Sequence, residues 1–163
     1  MEVISASRSI ELDLAKFLVE AKISTYAALG DEASVPPELS GSKQLEYIKG
    51  AYYYRDVYFG MFRFMGQETV YRDEQPIWSM VYAGGAVGKV SDEESLRVFE
   101  FLRRAMRLVE VDRPFRGPST YDNGELSYFD ESQGDVRNFH GIETIQRGGI
   151  EVYRLDYAGG LIR

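Results

Sequence analysis

Apolar residues recur at helical spacing in two stretches of the chain, and alternating aromatic and polar residues follow each stretch. The first stretch predicts a helix from about Ser9 to Tyr26, and the second predicts a helix from about Asp92 to Val109. Ser91 and Glu94 form a capping-box pattern at the start of the second helix. The apolar positions on these two helices are Ile10, Leu14, Phe17, Leu18 and Ala21, and Leu96, Phe99, Leu102 and Met106.

The alternating regions predict antiparallel β-meanders. Residues 148–149 are Gly-Gly, which predicts a two-residue hairpin turn because both turn positions need a positive φ. Counting outward from this turn places Arg147 opposite Ile150 and Glu143 opposite Arg154.

The same count in the first half of the chain places Glu68 opposite Ser79. Since side chains alternate along a strand, this register predicts that Glu68 and Glu143 lie on a solvated face. The aromatic residues then form the opposite face and pack on the helices. These aromatic residues are Trp78, Tyr82, Tyr153 and Tyr157.

Residues 47–87 recur loosely at 121–162. A repeat of this length indicates a duplicated structural unit. The identical pairs include Tyr54/Tyr128, Asp56/Asp130, Phe64/Phe139, Gly66/Gly141, Glu68/Glu143 and Tyr82/Tyr157.

The sequence therefore predicts an α+β fold. Two tandem helix-plus-antiparallel-β-meander repeats, of about residues 9–87 and 91–162, are expected to form one pseudo-symmetric domain over residues 1–163. That length is typical of a single domain. The alternative is two sheets that close into a barrel-like sandwich around the aromatic residues.

Composition narrows the possible functions. The chain has no cysteine, which excludes disulfides and zinc–thiolate sites and fits a cytoplasmic location. Its net charge of −7 and its lack of a basic cluster argue against direct nucleic-acid binding. No apolar run approaches about 20 residues, so we expect no membrane span, and the N-terminus shows no signal-peptide pattern.

Four short segments resemble a family of bacterial and archaeal proteins known only as a domain of unknown function. They are residues 56–60 (DVYFG), 64–68 (FMGQE), 76–82 (PIWSMVY) and 41–47 (GSKQLEY). Members of that family occur alone or behind an XRE-type helix-turn-helix domain. The resemblance implies no catalytic residues, and its fusion pattern suggests a sensor. Because the sequence before Ser9 is short, we expect no DNA-binding domain ahead of the first helix.

Several polar and aromatic residues are candidates for a ligand site. The arginines could bind an anionic or zwitterionic ligand, and the aromatic side chains offer large apolar surfaces with polar tips. The second copy carries more polar residues, as at His140, which takes the place of Met65. The candidate ligand-binding residues are Arg63, Glu68, Trp78, Tyr82, Arg137, His140, Glu143, Arg154, Asp156 and Tyr157. The structural alternative is a solvated ion-pair face and an ordinary aromatic core.

Three functions follow from these candidates. The leading hypothesis is a non-catalytic module that binds a small molecule, with no cofactor, no metal and no catalytic residue. The first alternative is an enzyme that uses Asp56 with Asp130, or His140 with Glu143, in acid–base chemistry. The second alternative is a homo-oligomeric scaffold that pairs through an exposed sheet edge.

Overall fold

The computed structural model describes the backbone of residues 2–163 and the side chains of residues 10–28, 30, 32 and 35–163. The helices are α1 (Glu2–Ser24), α2 (Tyr26–Leu29) and α3 (Asp92–Met106), and a 3₁₀ turn covers Gly30–Ala33. The strands are β1 (Ser34–Val35), β2 (Lys43–Lys49), β3 (Tyr52–Gly60), β4 (Arg63–Arg72), β5 (Gln75–Ala86), β6 (Thr120–Asp122), β7 (Leu126–Asp135), β8 (Asn138–Arg147) and β9 (Ile150–Leu161).

All the strands belong to one antiparallel sheet. Their order is β1-β2-β3-β4-β5-β9-β8-β7-β6. Strands β5 and β9 pair at the centre, from Trp78 opposite Leu161 to Ala86 opposite Tyr153. The two outermost strands, β1 and β6, span two and three residues. They pair with only part of their neighbours, at Gln44–Leu45 of β2 and Ser127–Phe129 of β7.

The prediction of an α+β fold built from two tandem helix-plus-antiparallel-β-meander repeats is wrong. Strands hold far more of the residues than helices do. The strands of both halves form a single sheet, because β5 and β9 join along most of their length. The predicted alternative of two sheets closing into a sandwich is also wrong, since one continuous sheet contains every strand in residues 2–163.

Helices α1 and α3 cover one face of the sheet, which we call the inner face. Phe17 of α1 stacks on Tyr52, with ring centroids 5.0 Å apart. Phe99 of α3 packs edge-on against Phe64, with centroids 6.1 Å apart. The opposite face, called the outer face, carries exposed side chains such as Met65. The core therefore lies between the inner face and these helices.

Helix α3 begins as the capping pattern predicts. The hydroxyl of Ser91 accepts a hydrogen bond from the backbone N–H of Glu94, and the Glu94 carboxylate accepts one from the backbone N–H of Ser91. These bonds satisfy two donors that have no partner within the helix.

The predicted hairpin at residues 148–149 is confirmed, since both glycines have positive φ and Arg147 pairs with Ile150. A β-bulge between Ile145 and Gln146 then shifts the register by one residue. Glu143 consequently lies opposite Leu155, and not opposite Arg154.

An equivalent bulge between Val70 and Tyr71 places Glu68 opposite Met80 instead of Ser79. A shift of one residue moves a side chain to the other face of a sheet. Glu68 and Glu143 therefore lie on the inner face, where they are 2% and 0% exposed. The prediction that they lie on a solvated face is wrong for this reason.

Candidate functional site

A cavity of about 100 Å³ lies between the inner face and helices α1 and α3. Three residues of its lining, Gly60, Met61 and Leu96, are exposed. Its walls include Tyr26, Tyr58, Phe64, Phe99 and Met106, and its polar lining includes Lys22, Tyr54, Asp56, Glu68, Tyr82 and Arg116. A mainly apolar cavity with a few converging polar groups is the usual form of a small-molecule site.

Five of these polar residues form a buried group, which we call the first cluster: Lys22, Tyr54, Asp56, Glu68 and Tyr82. The Lys22 ammonium, carried by α1, forms an ion pair with Glu68 of β4, and both side chains are at most 3% exposed. The Tyr82 hydroxyl donates to Oδ1 of Asp56 at 2.7 Å. Asp56 and Glu68 are cross-strand neighbours on β3 and β4.

Burial shifts the protonation equilibria in the first cluster. Burial first, and the charge of Glu68 second, raise the pKa of Asp56 to about 7. Burial also lowers the pKa of Lys22, against the opposing effect of Glu68. The cavity thus contains a carboxyl group that changes protonation near neutral pH.

Gly66 makes the Tyr82–Asp56 contact possible. It lies on β4 between Tyr58 of β3 and Tyr82 of β5. A Cβ at position 66 would lie 2.5 Å from both the Tyr82 hydroxyl oxygen and the Tyr58 Cβ. The absence of a side chain therefore lets the Tyr82 ring cross β4 and reach Asp56.

A second buried group, called the second cluster, lies under β7, β8 and β9. Its central carboxylate is Glu143. Arg116 donates two hydrogen bonds to Glu143, at 3.1 Å and 2.8 Å. Tyr128 and Tyr153 donate to the same carboxylate at 2.6 Å and 2.9 Å. Four donors therefore compensate for the burial of this charge.

The other carboxylate of the second cluster is Asp130. The Tyr157 hydroxyl donates to its Oδ1 at 2.8 Å, and Arg113 donates to its Oδ2 at 2.9 Å. Burial and the nearby Glu143 raise the pKa of Asp130 to about 7, despite the opposing effect of Arg113. Desolvation therefore raises the pKa of Asp130 by more than the ion pair with Arg113 lowers it.

The segment between α3 and β6 supplies the basic residues of the second cluster and fills the space beside it. Phe115 stacks on Phe139, with ring centroids 4.0 Å apart. Arg116 pairs with Glu143 and also lines the cavity, where its guanidinium lies 6.0 Å from the Tyr82 ring centre. Arg116 therefore contacts both clusters.

The predicted site residues divide among these regions. Glu68 and Tyr82 line the cavity, whereas Glu143 and Tyr157 belong to the second cluster. Trp78 is fully buried and stacks on Phe139 at 5.6 Å. The remaining five belong neither to the cavity lining nor to either cluster. These five are Arg63, Arg137, His140, Arg154 and Asp156. For all ten residues a ligand-binding role stays a prediction.

The residue pairs proposed for acid–base chemistry do not share this cavity. Asp56 lines it, whereas Asp130 lies beside a separate depression with Arg113 and His140. His140 and Glu143 are three residues apart on β8, so they point to opposite faces of the sheet.

Sequence reasoning missed the three cations that pair with buried carboxylates: Lys22, Arg113 and Arg116. The sequence does indicate that Lys22 is buried, because Leu14, Leu18 and Lys22 are spaced four residues apart and lie on the apolar side of α1. Arg113 and Arg116 flank Phe115 in an irregular segment, and no periodic pattern indicates where their side chains point.

Within residues 2–163, no helix is both long enough and apolar enough to span a membrane. In the same part of the chain, no three acidic or histidine side chains converge as metal ligands.

A family model described as a Domain of unknown function (DUF5680) matches residues 56–162. This range contains all the residues of both clusters except Lys22 and Tyr54. No curated protein and no solved structure matches the chain.

Proposed function

The chain belongs to the DUF5680 family, and we propose that it binds a small organic molecule in the cavity between the sheet and helices α1 and α3. The observation that carries this proposal is the set of buried ionisable groups at the inner end of that cavity. The role is non-catalytic binding, as in a sensor or carrier.

The burial of Lys22 and Glu68 supports a binding role. Lysine and glutamate are rarely fully buried, because desolvation of each charge costs several kcal/mol. An apolar pair would fill the same space at a lower cost. Charged groups beside a cavity gain a function when they orient a ligand.

The size of the cavity limits the ligand. Typical sites for drug-sized ligands measure about 300–1,000 Å³, whereas this cavity measures about 100 Å³. An engineered apolar cavity of about 150 Å³ in another protein binds benzene. We therefore expect a ligand of about one ring, with its apolar part against Phe64 and Phe99.

Thermal stabilisation by a library of small metabolites tests this proposal. The library should contain cations, neutral compounds and anions of single-ring size. We expect at least one class to raise the melting temperature of the wild-type protein and to do so less for Asp56→Asn. Asp156→Asn is the matched control, because Asp156 is exposed on the outer face. The proposal fails if no class stabilises the protein.

Equal effects of Asp56→Asn and Asp156→Asn would move the site away from the cavity. If only Asp156→Asn reduces the rise in melting temperature, the result would favour a ligand site on the outer face.

Proton transfer in the same cavity is a second candidate function. The observation in its favour is the pKa of Asp56, at about 7, next to Lys22. A general acid or base works best when its pKa lies near the working pH. Each stabilising compound should be incubated with the protein and followed by NMR. Turnover that is lost in Asp56→Asn would favour catalysis, and an unchanged compound would favour binding alone.

A further inference from the structure

Four carboxylates are buried in the two clusters, and three of them have a cation in an ion pair. Lys22 pairs with Glu68. Arg113 pairs with Asp130, and Arg116 pairs with Glu143. Among the described side chains, Asp56 has no such ion pair and accepts a hydrogen bond only from Tyr82.

Asp56 and Asp130 otherwise have similar surroundings. Each accepts a tyrosine hydroxyl at Oδ1, from Tyr82 at 2.7 Å and from Tyr157 at 2.8 Å. Tyr82 lies over Gly66, and Tyr157 lies over Gly141. Each carboxylate also has a glutamate as its cross-strand partner.

The two surroundings differ in what fills the adjoining space. Beside Asp130, the chain itself places the guanidinium of Arg113 on the carboxylate. It also places the ring of Phe115 against Phe139, at 4.0 Å between centroids. Beside Asp56, the corresponding space is the cavity, and Phe64 forms part of its wall.

We infer that the cavity takes an organic cation: an ammonium, amidinium or guanidinium group that binds Asp56 and is attached to a small ring that packs on Phe64. This inference rests on the proposed function and specifies its ligand. The cation would occupy the position that Arg113 holds on Asp130, and the ring would occupy the position of Phe115.

The cavity wall fits such a ligand at Phe64, whose ring lines the space beside Asp56, since aromatic faces attract organic cations. The other two rings beside Asp56 already face a cation of the protein, since Lys43 lies 5.7 Å from the Tyr58 ring centre and Arg116 lies 6.0 Å from that of Tyr82. The cations Lys22 and Arg116 also line the cavity, but each is held by its own glutamate.

Lys43 and Arg103 line the cavity as well, and both side chains are only partly buried. The positive charge of Arg103 disfavours a second positive charge on the ligand. The far end of the ligand should therefore be neutral or anionic.

Binding of matched single-ring compounds tests the charge preference. Benzylamine and benzamidine are the cationic probes, benzyl alcohol and benzamide are their neutral counterparts, and benzoate is the anion. Isothermal titration at pH 8 keeps Asp56 mostly ionised, given its pKa of about 7. A charge-assisted hydrogen bond predicts that the cations bind roughly 10-fold to 100-fold more tightly than the neutral compounds.

Preference for benzoate, or equal affinity for charged and neutral compounds, would overturn the inference but leave the proposed function in place. Absence of binding by all five compounds would overturn the inference as well. Absence of binding across the whole metabolite library would overturn the proposed function too.

Asp56→Asn separates the charge from the shape of the site. Asparagine keeps the acceptor oxygen for Tyr82 but removes the negative charge. We expect this variant to lose the preference for cations and to keep its affinity for benzyl alcohol. Asp13→Asn, at an exposed position of α1 outside the cavity lining, is the control and should bind every probe as the wild type does. A cation preference that survives in Asp56→Asn would overturn the inference.

Chemical rescue at Asp130 tests the comparison between the two carboxylates. Arg113→Ala removes the cation from Asp130, and the Arg113 side chain is 23% exposed in the wild type. Millimolar ethylguanidinium should raise the melting temperature of Arg113→Ala more than that of the wild type. An equal effect on both proteins would remove the argument that Asp130 and Asp56 bind cations alike. Ethylammonium and urea serve as the charge and shape controls.

Discussion

The hydroxyl of Tyr82 donates to Asp56 at 2.7 Å across an intervening strand. Asp56 lies on β3 and Tyr82 on β5, with β4 between them. Gly66 is the residue of β4 over which the ring passes. The position of the cavity carboxylate thus depends on a residue that has no side chain.

Gly66→Ala should displace the Tyr82 ring and destabilise the protein. The new Cβ would lie 2.5 Å from the Tyr82 hydroxyl oxygen and 2.6 Å from the carbonyl oxygen of Val57. Overpacking of this kind costs about 1–3 kcal/mol. Denaturant unfolding monitored by fluorescence measures the loss. Met65→Ala, at an adjacent exposed position, should change the unfolding free energy far less, and equal losses would contradict the account of Gly66.

Lys22→Met should destabilise the protein strongly, because it leaves Glu68 buried without a cation. Breaking a buried ion pair by removing one partner costs about 3–5 kcal/mol. The matched control is Lys49→Met, since Lys49 pairs with Glu20 at the surface, where both side chains are more than 40% exposed. A surface pair contributes at most about 1 kcal/mol.

The double variant Lys22→Met/Glu68→Gln distinguishes charge from packing. Removing both charges should restore part of the stability lost in Lys22→Met. If the double variant is less stable than Lys22→Met, the pair stabilises the protein by contacts other than their mutual charge. Unfolding in guanidinium chloride measures the unfolding free energies of Lys22→Met, Lys49→Met and the double variant.

The unfolding free energy should fall as the pH rises from about 4 to about 7. Asp56 and Asp130 have pKa values of about 7 in the folded protein, against about 4 in an unfolded chain. Between these values the folded state holds protons that the unfolded state has released, so rising pH favours unfolding. Each group contributes a slope of up to about 1.4 kcal/mol per pH unit.

Asp56→Asn should reduce the slope of the unfolding free energy against pH, so that only the contribution of Asp130 remains. The groups that surround Asp56 are Glu68, Lys22, Arg116 and Tyr82, and all of them remain in the variant. Urea unfolding at pH 4.5, 6 and 8 measures the slope. A slope identical to that of the wild type would show that Asp56 is ionised throughout this range.

Glu74→Gly should stabilise the β4–β5 hairpin. Asp73 and Glu74 occupy its turn with φ of 49° and 65°, which costs a residue with a Cβ about 1 kcal/mol or more. Glycine adopts this conformation without that cost. The β8–β9 hairpin already carries Gly148 and Gly149 at its turn. Thermal unfolding of Glu74→Gly measures the gain, and Glu125→Gly, in an exposed loop, controls for general effects of glycine.

Local patterns in the sequence identified the local structure. The capping residues of α3 and the glycine turn at residues 148–149 were predictable, because each depends on neighbours in the chain. The burial of Glu68 and Glu143 was not predictable in this way. It depends on two bulges that apolar alternation does not reveal, and a single extra residue reverses the face of every side chain beyond it.

The candidate site was harder to predict for a second reason. Its ion pairs join residues far apart in the chain, such as Lys22 with Glu68 and Arg116 with Glu143. Charge patterns along a sequence do not specify which carboxylate a distant cation reaches. The identical pair Asp56 and Asp130 was recognisable from the sequence, but the difference in their partners required the fold.

The central pairing of β5 with β9 has a consequence for synthesis of the protein. Strand β9 follows every other strand in the chain, yet it lies in the middle of the sheet. A nascent chain on the ribosome therefore carries β5 with an open edge until residues 150–161 have emerged. During that interval the unpaired N–H and C=O groups of β5 are open to pairing with another chain, which favours aggregation.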